Sequence, residues 1–218
     1  MLQGIKRYLK KRSKLLRSIV WVSDNIFTEF KKYDFHEFGK NSILNLPAYI
    51  SHCDKMIVKD NVQIHRNANF YCQGGLYIGN NVSIASNCAI VTFNHIYKGK
   101  EIPYGKDIEA KPVYISDNVW IGAHTKIGPG VFIGEGAIIG LGSVVIKDVE
   151  PCTIVGGNPA NIIGYRDMDE YNESKSKKKF IKHKRMDKII ISKDIINRPF
   201  LFDFLKDIGG LDKFEIKN

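Results

Sequence analysis

Histidine is the residue type in this sequence best suited to moving protons, and six histidines are present. Imidazole titrates near neutral pH, so a positioned histidine can take the proton of a weak nucleophile such as a hydroxyl group. One of the six, His95, stands at the start of a polar stretch, NHIYKGKEIPYGKDIEAKP, that interrupts an otherwise regular pattern. Functional side chains concentrate on loops carried by rigid scaffolds. His95 is therefore the leading candidate for a general base.

Metal and disulfide chemistry are not supported by the spacing of the other candidates. The histidines form no H-x-x-x-H or H-E-x-x-H motif, which are spacings that bind zinc on a helix. The four cysteines form no C-x-x-C pair, and a chain of 218 residues is long enough to fold without disulfides. We therefore expect reduced thiols and no metal site.

The pattern that His95 interrupts is a six-residue repeat. From Met56 it reads MIVKDN, VQIHRN, ANFYCQ, then two extra glycines, then LYIGNN, VSIASN, CAIVTF; after the polar stretch it resumes as VYISDN, VWIGAH, TKIGPG, VFIGEG, AIIGLG, SVVIKD. Apolar residues make up 44% of the chain, so an apolar third position in every hexapeptide is far from chance. These third positions are Val58, Ile64, Phe70, Ile78, Ile84, Ile90, Ile115, Ile121, Ile127, Ile133, Ile139 and Val145.

A period of six describes a short strand followed by a corner. Antiparallel sheets place turn signals every eight to twelve residues, and parallel sheets with helical crossovers need long connections between strands. Short parallel strands can instead stack as successive coils of a solenoid, each anchor packing on the equivalent anchor one coil away. The sequence predicts a parallel β-helix whose polar stretch, residues 94–112, loops outward.

These motifs resemble the hexapeptide-repeat acyltransferases, and within them the maltose, galactoside and surface-polysaccharide O-acetyltransferases. The resemblance covers residues 76–160 and rests on IGNNVSIASN, VTFNH, ISDNVWIGAHTKIGPGVFIGEGAIIGLGSVVIKDVEP and IVGGNPA. It implies a left-handed coil of three hexapeptides per turn and a homotrimer with active sites between subunits. It also implies acetyl transfer from acetyl-coenzyme A to a hydroxyl of a sugar or bacterial surface glycan.

The resemblance further implies roles for individual residues. In similar enzymes a histidine just after the Val-Thr of the preceding coil is the catalytic base, which points to His95, and the adjacent Asn94 is expected in the substrate site. His65 aligns with an asparagine that contacts the acceptor in the galactoside enzyme; a solvated corner residue is the alternative. The residues implied for binding acetyl-coenzyme A are Trp120, Ala123, Leu141, Ile146, Lys147 and, as a phosphate contact, Arg166.

The formal net charge of +10 indicates an anionic partner, and much of it lies near the N-terminus. Residues 1–22 hold seven Lys or Arg and no acidic residue. Their apolar residues have helical spacing, so a helix would carry an apolar stripe opposite a basic face. Such a helix can lie on an anionic membrane, or it can pack its stripe on the domain with solvated lysines. The stripe consists of Leu2, Ile5, Leu9, Leu16 and Val20.

Composition divides the chain into three segments. Residues 1–40 are predicted as a basic helical segment, residues 41–165 as the β-helix domain, and residues 166–218 as a basic C-terminal extension without the repeat. No apolar run is long enough for a membrane span. We therefore expect a cytoplasmic protein, with peripheral contact at the inner membrane face as an option.

Two other interpretations stay open beside sugar O-acetylation. The first is N-acetylation of an amino-sugar nucleotide, and the second is a non-catalytic β-helix scaffold. The run KSKKKFIKHKR in the extension could bind an anionic lipid or the phosphates of a polyprenyl-linked acceptor, although a solvated linker is the favoured interpretation. A nucleic-acid partner is not expected, because no recognised motif contains the basic residues.

Overall fold

Each hexapeptide forms a short strand and a corner, and the strands stack into three parallel faces. Face A contains β1 (Glu37–Phe38), β4 (Met56–Val58), β7 (Leu76–Ile78), β12 (Val113–Ile115) and β15 (Phe132–Ile133). Face B contains β2 (Ile43–Leu44), β5 (Gln63–Ile64), β8 (Ser83–Ile84), β13 (Trp120–Ile121), β16 (Ile138–Ile139) and β18 (Thr153–Gly156). Face C contains β3 (Tyr49–Ser51), β6 (Asn69–Tyr71), β9 (Ala89–Val91), β14 (Lys126–Ile127) and β17 (Val144–Val145).

This computed structural model describes residues 35–99, 101–181, 190–191 and 215–216. The chain divides into two compact units, Met1–Phe180 and Ile181–Asn218. In the second unit, β20 (Ile190–Ile191) pairs in parallel with β21 (Glu215–Ile216). Residues 1–34 of the segment predicted as helical, and the last four residues of KSKKKFIKHKR, lie outside the described residues.

The six parallel strands of face B mark six coils, and the predicted left-handed parallel β-helix is confirmed. All twelve predicted anchors are 2% exposed or less. The first position of each hexapeptide also points inward, which the sequence analysis did not predict; Val62 and Val119 are examples. Since anchors of neighbouring coils pair in register, as Ile84 does with Ile121, they form continuous apolar columns.

Asparagines hold the corner between faces A and B in a left-handed backbone conformation. Asn41, Asn61, Asn81 and Asn118 have φ between 57° and 61°, a region that asparagine tolerates better than most residues. Each amide Nδ2 donates to the Oδ1 of the next asparagine, at 3.3, 3.2 and 3.0 Å along the series. We call this series the asparagine ladder. It ties four successive coils together through side chains.

The first strand of the β-helix begins before residue 41, and its last strand ends at Tyr165. β1 begins at Glu37 and pairs with β4, so the first coil starts within the segment predicted as helical. At the other end, β19 (Asn161–Tyr165) pairs antiparallel with β18 and ends the parallel stack. The helix α1 (Met168–Ser176) follows, and the Asp167 side chain accepts hydrogen bonds from two backbone amides in its first turn. A short 3-10 turn, Cys53–Lys55, joins β3 to β4.

Candidate active site

The polar stretch that breaks the repeat folds as a hairpin arm at the corner between faces C and A. Its strands β10 (Phe93–His95) and β11 (Ile108–Ala110) pair antiparallel, with Phe93 opposite Ala110 and His95 opposite Ile108. Of the described residues from 94 to 112, all are exposed except His95 and Gly105. We call residues 93–110 the arm. It leaves the coil after β9 and returns at β12, as the sequence predicts.

Thr92 fixes the root of the arm. Its hydroxyl donates to the carbonyl of Tyr71 at 2.8 Å and accepts from the backbone N–H of Gly74 at 2.7 Å. A Cβ on Gly74 would lie 2.1 Å from the carbonyl oxygen of Thr92, so a larger residue cannot stand there. The two extra glycines in the repeat are the sequence signal for this contact, although sequence analysis did not connect them with the site.

His95 is half-buried at the base of the arm and is enclosed by aromatic rings. The Tyr104 ring stacks on the imidazole with a centroid distance of 4.0 Å and an interplanar angle of 21°. The Phe93 ring meets it edge-on at 5.9 Å and 79°. Among the described residues, His95 Nδ1 is the one buried side-chain nitrogen or oxygen without a hydrogen-bond partner. The enclosed nitrogen and the stacked ring set His95 apart from a solvated surface histidine.

Asn94 lies on the other face of β10. Successive residues of a strand point to opposite sides, and accordingly Asn94 is exposed while Phe93 and His95 are half-buried. Its register partner is Glu109, which forms an ion pair with Lys111 at 3.0 Å. The structure therefore does not bring Asn94 and His95 together on one surface of the arm.

Apart from Arg166, the other predicted site residues lie at or beside two corners of the prism, one of which also carries the arm. His65, Ala123 and Leu141 lie in the corner between faces B and C, in coils two, four and five, and Trp120 lies beside them on face B. The Gly142 amide donates to the Ala123 carbonyl at 2.7 Å, which aligns these corners of successive coils. Ile146 and Lys147 lie in the corner between faces C and A, which also carries the arm. Within one chain, His95 and His65 thus stand at different corners.

Comparison with solved structures identifies the family. A galactoside acetyltransferase in complex with coenzyme A is 32% identical, with 64% of this chain and 70% of that chain covered and a TM-score of 0.59. This chain belongs to the hexapeptide-repeat acyltransferases. A maltose O-acetyltransferase from Clostridium difficile 630 is 26% identical, with 76% and 84% covered and a TM-score of 0.58. No family model and no curated protein sequence gives a significant match.

A third similar structure was solved with a donor bound. It is a hexapeptide-repeat-containing acetyltransferase from Vibrio cholerae O1 biovar eltor complexed with acetyl-coenzyme A. Its sequence is 29% identical, with 62% of this chain and 74% of that chain covered and a TM-score of 0.59. Membership of the hexapeptide-repeat acyltransferases thus rests on the solenoid and on sequence identity over most of it.

Arg166 of this hexapeptide-repeat acyltransferase occupies the third corner, between faces A and B. Its Nε donates to the Gly136 carbonyl at 2.5 Å, and its guanidinium lies over the Tyr171 ring at 5.5 Å. The Tyr171 hydroxyl donates to Glu135 Oε1 at 2.8 Å, so α1 is fastened to this corner. Within one chain, these contacts hold Arg166 at a different corner from the other residues expected to bind the donor.

Three of the four cysteines of this acyltransferase are buried. Cys72, Cys88 and Cys152 are buried free thiols, and burial raises the pKa of Cys72 to about 12. A thiol with a raised pKa is a poor nucleophile. No cluster of potential metal ligands occurs among the described residues. In the same part of the chain, no helix is long and apolar enough to cross a membrane.

Proposed function

We propose that this chain transfers the acetyl group of acetyl-coenzyme A to a hydroxyl of a sugar or glycan, with His95 as the general base. The observation that carries the proposal is the placement of His95. It is the one polar side chain in the described arm that is not exposed, and its ring is oriented by aromatic neighbours. A base that must meet a substrate in one geometry needs such orientation.

The two ring nitrogens would have different tasks. Nδ1 is enclosed, so Nε2 is the nitrogen left for the acceptor. As the acceptor oxygen attacks the thioester carbonyl, Nε2 takes the hydroxyl proton; the carbon–sulfur bond breaks and the proton passes to the departing sulfur. This requires the neutral tautomer with its proton on Nδ1. Such a positioned base typically contributes about 100-fold to 10,000-fold in rate.

Residues of two corners would form the donor groove. Trp120, Leu141 and Ile146 are large apolar residues that are 54%, 79% and 59% exposed, and Lys147 can meet phosphate as a point charge. A whole face of the prism separates the two corners in one chain, so two copies side by side are needed to bring them together. We therefore propose a homotrimer with the groove between subunits.

The solved relatives support the choice of reactants. One similar protein was solved with acetyl-coenzyme A and another with coenzyme A. Two of the relatives are a galactoside acetyltransferase and a maltose O-acetyltransferase. Galactosides and maltose are sugars that offer hydroxyl groups. The basic residues 1–22 lead us to include lipid-linked glycans at an anionic membrane among the acceptors.

A paired acceptor screen tests the proposal. The full-length protein is incubated with acetyl-coenzyme A and either neutral sugars and glycans or amino-sugar nucleotides, with free thiol release and product mass as readouts. We expect O-acetylated sugar products that lose their acetyl group in mild base. N-acetylated sugar nucleotides alone would replace the proposal with its amine alternative, and no product from either set would overturn it.

A further inference from the structure

We infer that Tyr104 is a positioning residue for His95, holding the imidazole plane from the tip of the arm. The inference rests on the proposed function, because it concerns the orientation of the proposed base. It adds a residue that the sequence analysis did not single out.

The backbone of the arm delivers Tyr104 to the histidine. The Gly105 amide donates to the carbonyl of Ile96 at 2.8 Å, and the Ile96 amide donates to the carbonyl of Asp107 at 3.2 Å. These two bonds fold the tip back along β10. Tyr104, adjacent to Gly105, is thereby brought beside His95, adjacent to Ile96, and the rings stack with centroids 4.0 Å apart.

The imidazole of His95 needs such a contact because, within the described residues, its Nδ1 nitrogen has no hydrogen bond to orient the ring. A histidine base is ordinarily oriented by a hydrogen bond from the nitrogen that does not meet the substrate. His95 Nδ1 is buried and has no partner in the described part of the chain. Packing must therefore set the plane of the ring. The Tyr104 face and the Phe93 edge are the two aromatic contacts that do so.

The same geometry predicts which part of Tyr104 matters. The residue is 47% exposed, and its hydroxyl makes no hydrogen bond to the described residues. Aromatic stacking depends on the ring and not on the hydroxyl. A phenylalanine at position 104 should therefore still orient His95, whereas a leucine should not. Neither change touches the apolar interior of the coils.

The test compares Tyr104→Phe, Tyr104→Leu and, as a matched control, Tyr97→Leu. Tyr97 is a tyrosine of the same arm that is 72% exposed and has no ring contact among the described residues. Two readouts are used: kcat and KM for acetyl-coenzyme A with an acceptor found in the screen, and the NMR signals of the His95 ring, assigned by their loss in His95→Gln. Circular dichroism checks that each variant folds.

We expect Tyr104→Leu to lower kcat about 10-fold to 100-fold with little change in KM, because misorientation of a catalytic group costs rate more than binding. Its His95 ring signals should move downfield as the ring current of the stacked tyrosine is lost. Tyr104→Phe and Tyr97→Leu should keep kcat within about twofold and leave the His95 signals near their wild-type positions.

Different outcomes separate this inference from the proposed function. An inactive wild-type protein whose His95 signals still respond to Tyr104→Leu would confirm the stack but overturn positioning for catalysis, together with the proposed function. An active wild-type protein with unchanged kcat in Tyr104→Leu would overturn the inference alone. Equal losses in Tyr104→Phe and Tyr104→Leu would also overturn it, because they would assign the effect to the hydroxyl.

Discussion

The coils and the arm place their side chains in opposite ways. In the coils, every predicted anchor is 2% exposed or less, and each pairs in register with the equivalent residue of at least one neighbouring coil. In the arm, all described side chains except those of Phe93 and His95 are exposed. The coils are therefore stabilised by burial that repeats along the axis, whereas the arm is held by its root, its strand pairing and one aromatic stack.

The difference shows how a repeating fold acquires a site. Equivalent positions in a solenoid have equivalent surroundings, so a side chain can be unusual only where the repeat is broken. Thr92 is still part of the coil and is fully buried, and His95, three residues later, has a buried nitrogen without a partner among the described residues. Regularity up to Thr92 provides the rigid support that the arm requires.

Changing an anchor should have the largest effect on the molecule. Ile121→Asp places a carboxylate between Ile84 and Ile139 in the column of face B. An unpaired buried charge costs several kcal/mol, comparable with the total stability of about 5–15 kcal/mol for a domain. We expect a protein that does not fold, as measured by circular dichroism and recovery in the soluble fraction.

A charge change in the arm is the matched control for the anchor. Lys106 has a side chain that is 88% exposed, so Lys106→Asp should leave the melting temperature within a few degrees of wild type. If Ile121→Asp and Lys106→Asp were tolerated equally, the assignment of inward and outward positions would be wrong, and with it the contrast between coils and arm.

Replacing His95 should have the largest effect on activity. We expect His95→Ala to lower kcat by about 100-fold to 10,000-fold, which is the usual contribution of a general base, while the KM for acetyl-coenzyme A changes little. His36→Ala is the control, since His36 is an exposed histidine in the first coil. Near-normal turnover in His95→Ala would move the search for the base to His65.

The hexapeptide period is sufficient to predict the solenoid, the twelve inward anchors and the place where the chain leaves the coil. It succeeds because one residue type recurs at one spacing, so an error at one position does not alter the pattern. The left-handed corners could also have been predicted, because Asn61, Asn81 and Asn118 recur at a fixed offset from the anchors and asparagine tolerates positive φ.

The contacts of the site could not be read from the period. Tyr104 reaches His95 only because backbone bonds fold the tip of the arm back, and nothing in its spacing indicates that fold. Arg166 lies after the last hexapeptide, where the pattern provides no register, and its bond to Gly136 crosses 30 positions of sequence. The resemblance implies a phosphate contact for Arg166, and only the structure shows its contacts with Gly136 and with Tyr171 of α1.

Substitution at a corner of the coil should lower the stability of the fold by a moderate amount. Asn81 has φ of 57° and sits within the asparagine ladder, donating to Asn118 and accepting from Asn61. Asn81→Gly removes about two hydrogen bonds worth about 1 kcal/mol each, and Asn81→Ala adds the strain of a left-handed Cβ, about 1–2 kcal/mol. We expect the melting temperature to be highest for wild type, lower for Asn81→Gly and lowest for Asn81→Ala. An alanine variant as stable as the glycine variant would contradict the strain argument.

The smallest expected effect is a pH dependence of the stability of the fold, which arises where α1 meets the coils. Burial acts to raise the pKa of Glu135, but the ion pair with Lys175 and the hydrogen bonds from Tyr171 and Asn118 outweigh it and lower the pKa overall. A carboxylate whose pKa is lower in the folded state stabilises the fold above its unfolded pKa, about 4.3. That contribution is lost as the pH falls through the lower, folded value.

Glu135→Gln should therefore flatten the decline of stability with acidification, measured as the free energy of unfolding in urea from about pH 6 to pH 3. Glu150→Gln is the control, because Glu150 is exposed in the next coil and its side chain has no ion pair within the described part of the chain. Its slope should match that of wild type. Since Glu135 is itself partly exposed, solvent screening keeps the difference modest. Identical slopes in all three proteins would mean that the junction between coil and helix contributes no proton-linked stability, despite the three partners of the carboxylate, Lys175, Tyr171 and Asn118.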